Sequence, residues 1–158
     1  MTSSPDRPPH ATNHATNDAT TDAGLREAQR WLAQSTADLD AARELAASGR
    51  HALACFLCQQ AGEKAVSAYL FARGVEQVWG HALADLCEDA KALDPSFDVI
   101  KTVAMLLDKH YLATRYPSAL PGGVPAQAYD SDDSRRAIEI AHDVDRFVRE
   151  RLAALDNG

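Results

Sequence analysis

The chain has 158 residues, 46% of them hydrophobic but only 6% aromatic, and a formal net charge of −7 from 16 basic and 23 acidic side chains. A core drawn mainly from Ala, Leu and Val suits close-packed helices better than a sheet. The acidic balance excludes bulk-charge nucleic-acid binding, which rests on neutralising phosphates, and no apolar run approaches the ~20 residues that span a bilayer.

Residues 1–23 carry a decaying four-residue repeat (His10-Ala-Thr-Asn, His14-Ala-Thr-Asn, Asp18-Ala-Thr-Thr) after a Pro-rich start. With almost nothing to bury, this segment is expected to be a disordered tail. It lacks the charged-then-apolar order of a signal peptide, so the expected location is cytoplasmic. Residues 24–156 are then expected to form one helical domain.

A first helix is predicted over 24–47, where Leu25, Ala28, Leu32, Ser35, Leu39, Ala42 and Ala46 alternate steps of three and four, with Trp31 widening the stripe. Ser48-Gly49 ends it. The second helix, 50–73, carries a small-residue stripe (Ala54, Cys58, Ala61, Ala65, Ala68, Ala72) beside a polar block of Gln59, Gln60, Glu63 and Lys64. Small residues admit a close neighbour, and buried amides and charges there need partners. That polar face therefore either lines a groove or closes into an internal or dimer-contact network.

A third helix is predicted from His81, as a possible cap, to Leu93. Asp94-Pro95 then opens a fourth with Phe97, Ile100, Ala104, Leu107 and Tyr111 on one face. Residues 114–129, rich in Pro and Gly, read as irregular and long for a connection inside a bundle, a common place for function. Asp130-Ser131-Asp132-Asp133 opens a fifth helix to Leu155, burying Ala137, Ile140, Ala141, Val144, Phe147, Val148 and Leu152. The expected fold is all-α, an antiparallel up-and-down bundle of four or five helices.

Cys55-x-x-Cys58 falls inside a helical pattern without a second Cys pair, so buried apolar thiols are expected rather than a redox or zinc site. No metal or cofactor is expected. Arg115-Tyr116-Pro117 is the best site candidate: Arg suits bidentate phosphate contacts and Tyr suits base stacking. Lys64 and Lys109 add positive charge if this loop folds over the second helix. The competing expectation has Arg115 paired with Glu63 or another acid and Tyr116 plugging the bundle end.

Four features, taken in order, resemble the HEPN (higher eukaryotes and prokaryotes nucleotide-binding) domain family. They are Asp38-Leu39-x-x-Ala42, the run from Gly49 and His51 through Gln59-Gln60-Ala61-x-Glu63-Lys64-Ala65, Gly80-His81-x-Leu83, and Tyr111-x-x-Thr114-Arg115-Tyr116-Pro117. Ala113 and Ser118 depart from the family pattern, which has Pro and Asp there. The resemblance implies a helical bundle that usually dimerises, a nucleotide- or RNA-related role, and often a partner minimal nucleotidyltransferase in a toxin–antitoxin pair. Nucleotide contacts are then expected at Lys64, Lys109, Tyr111, Arg115 and Tyr116, and a groove or dimer network at Gln59, Gln60 and Glu63.

HEPN ribonucleases use an Arg, four to six intervening residues and a His. Here Arg136-x5-His142 has that spacing, but six helical steps place the two roughly 120° apart around the axis. A non-catalytic binding module is therefore the first expectation, a metal-independent endoribonuclease using Arg136 and His142 the second, and a purely structural dimer the third.

Overall fold

The computed structural model describes residues 21–80 and 82–157. The repeat with His10 and His14, and the possible cap His81, lie outside the described residues. Every regular element among the described residues is helical.

The first helix, α1 (Asp22–Ala47), begins two residues before the predicted start, because the Thr21 hydroxyl accepts the Gly24 N–H at 3.0 Å. Thr21, Asp22 and Ala23 thus belong to the bundle, not to the tail. Gly24 itself touches the far end of the next helix: a Cβ built there would stand 2.5 Å from the Phe71 carbonyl oxygen. The predicted stripe is inward, with Ala28, Leu32, Ser35, Leu39 and Ala42 buried. Gly49, at φ 79°, supplies the left-handed residue that ends the helix. The short turn that follows folds α2 (His51–Ala72) back antiparallel to α1.

The second helix is the axis of the molecule. It packs against α1 and, as the chain continues, against α3 (Leu83–Leu93), α5 (His110–Ala113), α6 (Pro125–Ala128) and α7 (Ser131–Asp156). Its small-residue stripe is buried throughout, and most of the remaining circumference is covered too. Backbone approach is close enough for the buried Ser35 hydroxyl of α1 to donate to the Ala61 carbonyl at 2.8 Å. Cys55, Cys58 and Cys87 are free and buried, and burial pushes each thiol up to about 12. As expected for core cysteines, they are inert at neutral pH.

The fourth predicted helix is divided. Asp94 does not open it: its carboxylate accepts the backbone N–H and hydroxyl of Ser96, and α4 (Phe97–Ala104) starts after that turn. A 3₁₀ turn, Met105–Leu107, then interrupts the run before α5. The interruption turns Asp108 towards α3, whose first amides at Leu83 and Ala84 donate to its carboxylate at 2.6 and 3.0 Å. Helical periodicity alone could not register this, since Phe97, Ile100, Ala104 and Leu107 still face the core. The predicted irregular stretch holds a 3₁₀ turn at Pro117–Ala119 and α6, each with proline in its first turn.

A capping box starts α7: Asp130 accepts from the Asp133 N–H at 3.0 Å, and Asp133 accepts from the Asp130 N–H at 2.9 Å. Ala137, Ala141, Val144 and Val148 are then buried, with Ile140, Phe147 and Leu152 at the margin.

Candidate functional site

The chain after α5 returns to the start of α2, and this brings Arg115 onto Phe56. The guanidinium carbon lies 4.3 Å from the centre of the Phe56 ring, 4.6 Å from that of Tyr111 and 5.1 Å from that of Tyr116. Its Nε donates to the Tyr111 carbonyl at 2.8 Å. The Thr114 hydroxyl donates to the His110 carbonyl, tightening the backbone that carries the arginine. Among the described residues Arg115 makes no ion pair, so its charge is balanced by ring faces, each worth about 0.5–2 kcal/mol depending on exposure. The fork nitrogens, Nη1 and Nη2, keep their donors.

That arrangement replaces both halves of the competing expectation. Glu63 accepts instead from Gln60, and Tyr116, 49% exposed, stands at the surface instead of sealing the bundle. Exposed Leu112 lies on the same stretch of chain. A flat cation bracketed by rings, with one ring half open to water, is suited to a phosphate beside a stacked base.

A second cluster lies behind α5. Lys109 does not join the ring stack; it lines a cleft of 170 Å³ with His110 and, from α7, Asp133 and Arg136. His110 is buried, its Nδ1 3.5 Å from the Tyr129 hydroxyl. Burial, and then the Lys109 charge, lower its pKa to about 4. The imidazole is therefore neutral at physiological pH.

The chain matches the HEPN domain family over residues 28–151. The solved structure of TT1696 from Thermus thermophilus is 35% identical, with a TM-score of 0.71 over 78% of this chain and 97% of that one. ST0689, an archaeal HEPN homologue, is 33% identical with a TM-score of 0.66, covering 80% of this chain and 98% of its own. The chain belongs to the HEPN family. No curated protein matches it.

Within this HEPN domain the polar block of α2 is half-buried, with Gln59 turned inward. Gln59 is fully buried; its amide donates towards Asp108 at 3.4 Å and its oxygen accepts from Gln60 at 2.7 Å. Gln60 also donates to Glu63 at 3.3 Å. Gln59 thus ties α2 to the Asp108 that caps α3, with Gln60 and Glu63 hydrogen-bonded beside it. Lys64 pairs with Asp38 of α1, which also accepts from Gln34 at 2.9 Å. The structure therefore divides the expected nucleotide contacts: Tyr111, Arg115 and Tyr116 come together, Lys109 faces Arg136, and Lys64 is neutralised between α1 and α2.

Arg136 and His142 are not brought together. Arg136 opens onto the cleft beside Lys109, while His142 stands exposed further along α7. Sequence reasoning assigned no role to Phe56, His110 or Asp108. For Phe56 the signal was an aromatic residue within the same motif as the glutamines. For His110 and Asp108 no local signal exists, because their partners are 19 or more residues away.

Proposed function

We propose that this HEPN domain is a non-catalytic binding module that holds a nucleotide or an RNA end against Arg115. In this reading the guanidinium takes a phosphate through its free fork and a base stacks on Tyr116. The module works as a cytoplasmic homodimer beside a partner minimal nucleotidyltransferase, in a toxin–antitoxin-like pair. One observation carries the reading: Arg115 is fixed by three rings and a carbonyl, with no carboxylate competing for its charge among the described residues. A structural arginine is normally spent on an acid or on several carbonyls. This one is oriented but unspent. The ribonuclease reading has no comparable support, because Arg136 and His142 share no contact.

Calorimetry of the full chain with the four nucleoside triphosphates and a short single-stranded RNA tests the site. Saturable binding is expected in the wild type and its loss in Arg115→Ala, with helicity and sedimentation unchanged. Equal affinity in the variant would remove Arg115 from the site.

A further inference from the structure

Two cations face one small cleft, and neither has an acid of its own. Lys109 and Arg136 make no ion pair among the described residues, on a chain whose net charge is −7. Asp133 is the one carboxylate in the lining, and it is engaged by the Asp130 N–H. Two cations, Lys109 and Arg136, against one carboxylate, Asp133, leave the lining net positive. Leu106, Ala137 and Ile140 form the apolar wall, which strengthens any charge interaction made inside.

The third polar group is the His110 ring. Its Nδ1 lies beside the Tyr129 hydroxyl, and no buried side-chain nitrogen or oxygen lacks a partner among the described residues. His110 is one of the residues lining the cleft, and its Nε2 makes no hydrogen bond within the described residues. With Nδ1 accepting from the tyrosine hydroxyl, Nε2–H is a neutral donor on a residue of the cleft wall.

We propose that this cleft is a phosphate-group site, built by Lys109, Arg136 and His110, for the terminal phosphate monoester of the bound nucleotide or RNA. The assignment of that source rests on the nucleotide-binding reading of the Arg115 face. The site itself rests on the cleft. A volume of 170 Å³ is below the ~300–1,000 Å³ of whole small-molecule pockets, so it accommodates a charged group and not a nucleoside. Lys109 precedes α5 and Arg115 follows it, so the two sites border the same four-residue helix.

A phosphate dianion beside the imidazole favours its protonated form. Burial and then Lys109 oppose protonation of His110, and Asp133 favours it; Arg136 shares the cleft lining and neutral Tyr129 stands beside Nδ1. Adding the anion raises the His110 titration midpoint from about 4.

The test follows the His110 ring resonances of the full chain by NMR as inorganic phosphate is added. A saturable shift with an upward-moving midpoint is expected. Arg136→Gln and Lys109→Gln, both at exposed positions, should each raise the phosphate Kd about tenfold, the loss of one charge-assisted contact. A flat titration, or the same Kd in both variants as in the wild type, overturns the proposal. Companion titrations with a mononucleotide and with an RNA pentamer bearing a 5′-phosphate or a 5′-hydroxyl identify the source. A tenfold preference for the phosphorylated end, lost in Arg136→Gln, assigns the cleft to RNA ends, and competition by the mononucleotide alone assigns it to free nucleotide. If phosphate binds but no nucleotide or RNA does, the anion site stands and the nucleotide-binding reading falls. If RNA binds through Arg115 while phosphate leaves His110 unmoved, the reverse holds.

Discussion

The two ends of α2 hold arginines in opposite ways. Near its C-terminal end, Arg73 donates to the Tyr69 hydroxyl at 2.7 Å and the Leu93 carbonyl at 3.1 Å. Arg151 of α7 donates to Asp94 at 2.7 Å, and Asp94 also collects both donors of Ser96. Tyr69 packs on Phe97 at 4.5 Å, which meets Phe147 edge-on at 5.0 Å. Charge there is neutralised, hydrogen-bonded and backed by aromatic core. At the N-terminal end Arg115 has rings and one carbonyl. Phe56 and Tyr69 are 13 residues apart on α2, about 20 Å along its axis. The first cluster locks α2, α3, α4 and α7. The second leaves donors available, and the proposed ligand site rests on that difference.

Breaking the locked end has the largest expected effect. Asp94→Ala strips Arg151 and Ser96 of their acceptor and should cost about 3 kcal/mol in urea unfolding, without changing nucleotide affinity. The pH dependence sharpens this. Partial burial pushes the Asp94 carboxyl up, but hydrogen bonds from Ser96 and Arg151 outweigh it and hold the pKa below the usual range. A depressed folded pKa contributes stability above the unfolded value, near 4, and loses it as pH falls through the folded one. The gap between wild type and Asp94→Ala should therefore narrow below about pH 4.

Lys64→Met comes next. It leaves Asp38 poorly solvated with only the Gln34 amide as partner, for a loss of about 1–2 kcal/mol, and it should leave nucleotide affinity unchanged. A large fall in affinity would return Lys64 to the ligand site. At the open end the pattern inverts: Arg115→Ala should cost about 1–2 kcal/mol of stability, the loss of half-buried cation–π contacts, while abolishing binding. Arg115→Lys distinguishes charge from shape, because an ammonium keeps the charge but loses the planar fork; binding should weaken about tenfold and not vanish. The smallest expected stability change is Tyr116→Leu, within about 0.5 kcal/mol at this exposed position, with stacking affinity reduced about tenfold. A tyrosine variant that binds as well as wild type would leave the phosphate contact without its base platform.

What the amino-acid order determined by itself was local. The helices of the bundle, the stripe each one buries and the short turn between α1 and α2 follow from apolar spacing, Gly49 and the acids before α7, because periodicity and capping act within a few residues. The Arg-Tyr-Pro step was legible for the same reason, as a chemical type in a short motif. Tertiary structure decided what each polar group does. Whether Lys64 met a phosphate or Asp38, whether Gln59 faced water or Asp108, and whether Arg115 met an acid or the Phe56 ring depended on contacts 26, 49 and 59 residues apart in the chain. A charge is stabilised by whatever lies within a few ångströms, and only the packing of helices against α2 settles which group that is.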